Sequence, residues 1–342
     1  MTTLITGVGA VGSHIAQKLQ EMGEQLVLYD ISPRLEFLRT IFDVDRARIV
    51  VGDVNDMTLL RATIENERVE RIVHLAGYLT KQLRDRPYAG VQLNILGTAS
   101  VLETARLTGI KRVVFASTRG VNQLAVPPEG GGTLDEDFAM RVLSNRPKTM
   151  YELSKLTGEH LGLLYHDAYG VDFVAIRLAG GFGPTPGPPS GLTGTVLRAL
   201  VYDAALGKPV VVDEPSLTYA GRHEFIYFKD DAEAIALACF RNGLKKRVYN
   251  IRMGTTYAYP EVAEIVRRVF PDVSIEIRAM SDSSLSPGHA PRDDFADTTA
   301  ARDELGWMPK YALDAGIREW GDWIRRTHGA AWAEAPRPCT RS

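Results

Sequence analysis

A chain of 342 residues with 45% apolar and 24% charged side chains has the composition of an ordinary soluble globular protein, long enough for one large or two modest domains. Forty basic against forty-two acidic residues leave a formal charge of −2, which argues against nucleic acid or an anionic membrane as partner, and no apolar run approaches the roughly 18 residues of a membrane span. Cys239 and Cys339 form no CxxC pair and lie in no Cys/His cluster, so neither a disulfide framework nor a zinc site is expected, and the start of the chain, without a basic or long apolar leader, predicts a cytoplasmic protein.

Thr2 to Thr6 is a short β-prone run, and Gly7-Val8-Gly9-Ala10-Val11-Gly12 then opens a helix predicted to continue to about Met22. A G-x-G-x-x-G between a strand and a helix has a mechanical reading. The first glycine permits the tight turn, the second lets the backbone approach a pyrophosphate, and the third lets helix and strand pack closely, with the phosphate on the helix N-terminus. Alone the pattern is weak. Here the second predicted strand, Gln25 to Tyr29, ends in Asp30, about where a carboxylate meets the adenosine ribose hydroxyls of a dinucleotide. Its charge repels a 2′-phosphate, so NAD is expected over NADP, with Arg34 and Arg39 nearby as the opposing influence.

The alternation continues with strands at Arg48 to Val51, Arg71 to Leu75 and Val113 to Ala116, and helices at Met57 to Asn66 and Ala89 to Leu107. Strands separated by such helices imply right-handed crossovers and an α/β fold built on a Rossmann-type, doubly wound parallel sheet. Ligands of these sheets sit beyond the carboxyl ends of the strands, where Gly52-Asp53-Val54, Leu75-Ala76-Gly77 and Ser117-Thr118 fall. Singly, each has an ordinary explanation: Asp53 as a helix cap, Gly77 as a turn, Ser117 or Thr118 as partners of strand-end backbone groups. Their common location is what argues for a site.

Pro127-Pro128-Glu129-Gly130-Gly131-Gly132 marks the stretch from Gly120 to Asn145 as a surface loop. Thr149 to Tyr169 is predicted helical, with Leu153, Leu156, Leu161, Leu164 and Tyr165 on one apolar stripe. Tyr151 and Lys155, four residues apart, share a helix face. An ammonium near a phenol favours the phenolate, lowers its ordinary pKa of about 10 and makes a proton acceptor usable near neutral pH. On spacing alone the pair is more simply a solvated one. Only a nucleotide site nearby changes that.

Val171 to Arg177 is a sixth strand, and Gly180 to Gly191 is dense in Gly and Pro. Helices near Val196 to Leu206, Ala232 to Phe240 and Glu261 to Phe270 then alternate with short strands at Pro209 to Val212, Arg247 to Ile251 and Ser274 to Arg278. The expected division is a dinucleotide-binding domain over 1–176 and a smaller, partly interleaved α/β substrate-binding domain over 177–330, the chain returning to the large sheet around 221–252 and ending in a disordered tail over 331–342. His289, Asp293 and Asp294 read as a loop of mixed charge rather than a metal site, and Trp307, Trp320 and Trp323 as packing.

With these pieces assembled, the chain resembles, over nearly its whole length, the extended branch of the short-chain dehydrogenase/reductase superfamily, the NAD-dependent epimerase/dehydratase family. Thr6 to His14 looks like its glycine loop, one residue shorter than the usual G-x-x-G-x-x-G, and Gly52-Asp53-Val54 is similar to its adenine-contacting Asp and neighbour. His74-Leu75-Ala76-Gly77 resembles H-x-A-[AG], Asn94-Ile95-Leu96-Gly97-Thr98 its N-x-x-G-T, and Tyr151 to Lys155 its Y-x-x-x-K. Phe115 to Thr118 is similar to the strand ending in the catalytic Ser/Thr, Glu224 to Ala232 to D-F-[IV]-[HY]-V-x-D-x-A, and Ala296-Asp297 with Leu305 to Pro309 to A-D…L-G-W-x-P.

The resemblance implies Thr118, Tyr151 and Lys155 as catalytic residues and NAD as cofactor. NAD would be held by Gly7, Gly9, Ala10, Val11, Gly12, Asp30, Asp53, Val54, Leu75, Ala76, Gly77 and Asn94 together with Tyr151 and Lys155. Ser117, Thr118, Tyr78, Gly180, Arg222 and His223 fall on the substrate side. No metal is implied, and a homodimer through the helices Ala89 to Leu107 and Thr149 to Tyr169 is. Nucleotide-sugar members place an Asn after the sixth strand, where this chain has Gly180, and often carry Arg-Pro-Gly-Asp where it has Ser286-Pro287-Gly288-His289. The expectation is therefore an NAD-dependent dehydrogenase acting on a secondary alcohol of a small polyol, sugar or sugar acid, with a nucleotide-sugar 4-epimerase as alternative and a non-catalytic NAD sensor as a third reading.

Overall fold

The computed structural model describes residues 1–124, 133–138, 149–187, 192–213, 222–278 and 296–328. The expected tail and most of the Gly120 to Asn145 loop, with His289, Asp293 and Asp294, lie outside these residues. The chain alternates from the start: β1 (Thr2–Thr6), α1 (Ala10–Glu21), β2 (Gln25–Asp30), the single turn α2 (Leu35–Leu38), β3 (Ala47–Val51), α3 (Met57–Asn66) and β4 (Arg71–His74). Two short helices, α4 (Thr80–Asp85) and α5 (Pro87–Val91), lead through a π-turn at Gln92–Leu96 into α6 (Gly97–Thr108) and β5 (Arg112–Thr118). After a 3-10 turn at Arg119–Leu124 come α7 (Met150–Tyr169), β6 (Phe173–Leu178) and β7 (Gly181–Phe182), then α8 (Leu192–Ala205) and β8 (Val210–Val212). The remainder is β9 (Arg222–Glu224), β10 (Ile226–Tyr227), α9 (Phe228–Phe240), β11 (Val248–Asn250), β12 (Thr256–Ala258), α10 (Tyr259–Val269), β13 (Ile275–Ile277) and α11 (Leu313–Thr327).

Packing divides the chain into two units, one of Met1–Ala179, Lys229–Arg252 and Asp294–Met308, the other of Gly180–Phe228, Met253–Asp293 and Pro309–Ser342. In the first, seven parallel strands lie in the order β11-β6-β5-β4-β1-β2-β3. The order reverses at β1, between β4 and β2, and a reversal opens a crevice beyond the strand ends where ligands of such sheets bind. Helices cover both faces, which is why β1 is buried at every residue and β5 at all but its last.

Helix α7 corrects one expectation. Its sheet-facing stripe is not leucine but Ser154, Gly158 and Gly162: a methyl group at Gly158 would lie 2.6 Å from the Phe115 ring, and one at Gly162 2.2 Å from the Phe173 ring. Small residues let the helix lie close on β5 and β6, while Leu153 and Leu164 are 50% and 56% exposed. The single helix expected over Ala89 to Leu107 is also broken. Pro87 starts α5 at a position that needs no N–H, and the π-turn inserts an extra residue before α6.

In the second unit α8, α10 and α11 pack with three two-stranded sheets, β10-β7, β12-β9 and β13-β8. On α11, Leu313, Ile317, Trp320 and Ile324 form the buried stripe, and Gly316 admits the Phe182 ring, 2.7 Å from where a methyl group would stand. Trp307 is buried in the first unit, its Nε1 donating to the Asp230 carbonyl at 3.0 Å.

Candidate active site

The glycine loop is built by contact on one side and space on the other. Gly7 has φ +79°, its N–H donates to the Tyr29 carbonyl, and a methyl group there would lie 2.6 Å from the Ala76 nitrogen. Gly12 is pinned by the loop itself, a methyl group there meeting the Gly7 carbonyl oxygen at 2.4 Å. Gly9 differs: nothing lies within 4 Å of its added carbon. As N-cap of α1 it supplies no side-chain cap, and no acidic residue stands in the first turn, so the first N–H groups of α1, from Ala10 and Val11 onward, are presented to an anion from outside. This fits a pyrophosphate.

Asp30, at the end of β2, accepts from the Val8 N–H at 2.7 Å through one oxygen and from Ser32 N–H at 2.8 Å through the other, which couples the loop to the next strand end. Asp53 is exposed, its carboxylate accepting from the Asn55 N–H and side-chain amide. It is not the cap of α3; Asp56 is, accepting from Leu59 N–H at 3.0 Å. Val54 is buried behind Asp53, where Gly97 makes room for it.

At the end of β4 the chain is clamped. The Asn94 side chain accepts from Tyr78 N–H at 2.7 Å and donates to both the Tyr78 carbonyl and the Ser154 hydroxyl at 3.0 Å, while the Asn94 backbone carbonyl accepts from the Thr98 hydroxyl. The π-turn is what carries Asn94 there, and the clamp fixes Gly77 and Tyr78 against α7. Since the one Thr98 hydroxyl proton goes to Asn94, His74 Nε2 must donate to Thr98 and Nδ1 accept from Thr6. Burial, with the Lys155 charge second, holds the His74 imidazole down to about 3, so it is neutral.

Thr118, Tyr151 and Lys155 come together where β5 ends against α7. The Thr118 hydroxyl accepts from Gly120 N–H at 3.1 Å and hydrogen-bonds the Tyr151 phenol. Lys155 is buried; its Nζ donates to the Ala116 carbonyl at 2.7 Å and lies 4.8 Å from the Phe115 ring centre and 6.0 Å from that of Tyr151. The phenol does not have the lowered pKa expected from its neighbour. Burial pushes Tyr151 up to about 12, against the downward pull of the Thr118 hydrogen bond, with Glu152 adding to the rise. Burial brings Lys155 down to about 8, opposed by Glu159. At 6.0 Å from the ring centre, the ammonium is committed to a carbonyl rather than to the phenol.

Ser117 departs from its expected place. Its side chain is 2% exposed and its hydroxyl donates to Glu159, so it faces the interior and not a substrate. Glu159, which the sequence reading did not single out, takes Arg177 in a two-point ion pair at 2.9 and 2.8 Å. Its spacing of one helical turn from Lys155 was the available signal. The remaining substrate-side residues lie in the second unit. The Gly180 carbonyl accepts from Ile226 N–H at 3.1 Å. Arg222 is turned to its own unit: Nε and Nη2 donate to Thr256, and Nη2 pairs with Glu261 at 3.0 Å. His223 lies beside it on β9, with its ring 6.1 Å from that of Phe225. Among the described residues no helix is long and apolar enough to cross a membrane.

A model of the NAD dependent epimerase/dehydratase family matches residues 3–251. The UDP-glucose 4-epimerase of Mycolicibacterium smegmatis is 28% identical over 95% of this chain and 99% of its own. The dTDP-glucose 4,6-dehydratase of Streptomyces niveus is 27% identical over 98% and 95%. Among solved structures, the UDP-glucose 4-epimerase of Thermus thermophilus in complex with NAD superposes with a TM-score of 0.73 at 25% identity, covering 96% of this chain and all of the other.

Proposed function

The chain belongs to the NAD dependent epimerase/dehydratase family, and from that premise we propose that it oxidises a secondary hydroxyl of a small sugar, sugar acid or polyol by hydride transfer. The observation that carries the reading is the Thr118–Tyr151 hydrogen bond with the buried Lys155 one turn along the same helix, on a sheet whose Gly9 faces open space. NAD, when bound, accepts the hydride from the carbinol carbon. Gly7 to Gly12 would hold its pyrophosphate, Asp30 the adenosine ribose, Asp53 and Val54 the adenine, and Leu75, Ala76, Gly77, Asn94 and Lys155 the nicotinamide half. Thr118 donates to the substrate oxygen and Tyr151, its own proton first lost to solvent, takes the hydroxyl proton, so C–H and O–H bonds break and a carbonyl forms. Ionising the phenol works against the burial that holds it up to about 12.

A second reading, a nucleotide-sugar 4-epimerase with retained NAD, is supported by the UDP-glucose 4-epimerases among the relatives. Against it stands Gly180, which offers no side chain to a sugar diphosphate. Incubation with NAD and a panel of sugar acids, polyols and UDP-sugars separates the two: stoichiometric NADH release supports a dehydrogenase, and UDP-hexose interconversion without net NADH supports the epimerase.

We further propose a homodimer through α6 and α7. Leu153 and Leu164, and likewise Leu96 and Leu107, are exposed and eleven residues apart, which returns each pair to one helix face. A monomeric mass in light scattering at micromolar concentration would count against it. The unpaired, buried Cys239 thiol supports a reducing, cytoplasmic setting.

A further inference from the structure

We propose that Glu159 is a positioning residue for the reaction, the buried anion that keeps Lys155 charged and fixes the end of β5 that carries Thr118. The inference rests on the roles given above to Lys155 and Thr118.

Lys155 is 6% exposed, and an ammonium removed from water loses its charge unless something in the fold favours it. None of its direct contacts is an anion: Nζ bonds the Ala116 carbonyl and lies over the Phe115 and Tyr151 rings. The charged group that favours the ammonium is Glu159, one turn along α7 and 1% exposed. The other titratable groups around it are His74 on β4, which is neutral, Tyr151 on α7, a neutral phenol, Arg177 on β6, which pairs with Glu159, and Glu152, buried three residues before Lys155 on α7, whose charge bears on Tyr151.

The Glu159 oxygens receive three donors, Nε and Nη2 of Arg177 and the Ser117 hydroxyl. The Ser117 contact gives the pair its second task. Ser117 lies between Ala116, whose carbonyl receives Lys155, and Thr118, whose hydroxyl meets Tyr151. One carboxylate therefore sets the charge of the lysine and anchors the strand end that presents both partners. A buried ion pair with a structural role alone needs neither link.

The test is Glu159→Gln in the full chain, with Lys155 titrated by NMR on 13C-lysine-labelled protein without cofactor or substrate, its signal assigned by Lys155→Met. The Lys155 midpoint is expected to fall by a pH unit or more, a change in its charged fraction that approaches tenfold above the window it crosses. NAD affinity should then match wild type at pH 6 and be about fivefold weaker at pH 8, and the upper limb of the kcat/KM profile should move down by the same interval. A structural role alone would lower Tm and leave all three midpoints in place; unchanged Lys155 titration in folded Glu159→Gln overturns the proposal. A shifted titration with an unmoved activity profile upholds the coupling and overturns the role of Lys155 proposed above. Should Glu159→Gln not fold, Ser117→Ala keeps the ion pair and removes the anchor. It should leave the Lys155 titration as in wild type and lower kcat about tenfold at unchanged KM for NAD, and an unaltered kcat overturns the anchoring role.

Discussion

The strand ends of the first unit and strand β9 of the second hold their polar residues in opposite ways. At the ends of β1, β4 and β5, structural contacts are made by parts that move neither proton nor hydride: glycines pressed on backbone, the Asn94 clamp, the small-residue stripe of α7. Gly9 and the Thr118–Tyr151 pair are thereby held in place while serving no packing need of their own. On β9 the arginine is itself the structural contact, bonded to Thr256 and Glu261. A polar group whose partners are already supplied by its own fold has little to offer a ligand, since binding must first break those bonds. Recognition is thus concentrated where topology, and not side-chain pairing, does the positioning.

The largest effect should come from breaking the first half of that contrast with a single atom. Tyr151→Phe removes the proton acceptor and its hydrogen bond to Thr118 but leaves Lys155 in place, so kcat should fall by about 10²–10⁴ while NAD affinity by titration stays near wild type. Lys155→Met should weaken both. A Tyr151→Phe protein that still turns over substrate would falsify the assignment.

Next in size is a residue of the first unit that departs from the pattern. Asp231, in the first turn of α9, is 1% exposed, and among the described residues neither carboxyl oxygen has a hydrogen-bond partner. Burial, reinforced by the charge of Asp230, raises its pKa well above the ordinary carboxylate value, so the folded state holds it protonated. A raised folded pKa means stability that is complete below the unfolded value of about 3.9 and is lost as pH rises toward the folded one. Asp231→Asn cannot ionise. It should match wild type in thermal melts near pH 4 and exceed it by pH 8, the gap growing by about 1.4 kcal/mol for each pH unit between the unfolded and the folded pKa. A stability difference that does not grow with pH would show that Asp231 is paired or ionised in the folded protein.

What the sequence made legible follows the same division. The glycine loop, Asp30, Asn94 and the Tyr151–Lys155 pair could be read because a parallel sheet puts its sites at strand ends, and strand ends are marked by glycine and by the change from β to helical periodicity. The orientation of α7 could not. Its leucines have the hydrophobic spacing of a core stripe, yet Phe115 and Phe173 leave room only for Gly158 and Gly162, a constraint set by residues distant in sequence. Glu159 was passed over for a similar reason: a glutamate one turn after a lysine is the commonest of surface pairs, and only Arg177 and Ser117, from two other strands, make it a buried anion. Substrate identity depends on the second unit, whose short strands carry no such markers.

The third effect sharpens the first region. Asp30 places a carboxylate beside the glycine loop, so NAD should bind at least about tenfold more tightly than NADP, about 1.4 kcal/mol. Asp30→Asn retains an acceptor for Val8 N–H and loses the charge, and the preference should collapse. Equal affinities in the unaltered protein would remove Asp30 from the ribose site.

The smallest effect tests the second region, and its smallness is the prediction. The resemblance puts Arg222 on the substrate side. Its Nη2 instead donates to the Thr256 carbonyl at 2.7 Å, its Nε to the Thr256 hydroxyl at 3.1 Å, and Glu261 neutralises its charge, all within the β9–β12 hairpin-like pairing and the start of α10. The pair is nearly half exposed, where water and salt already screen it. Removing the guanidinium should therefore loosen a local contact without uncovering or deleting a substrate partner. Arg222→Ala should change kcat and substrate KM by less than about threefold, with a small loss of stability that shrinks further in high salt. A KM rise of tenfold or more for an acidic substrate, absent for a neutral one, would mean that Arg222 leaves Thr256 and Glu261 to meet the ligand, and the contrast between the two regions would then fail at this residue.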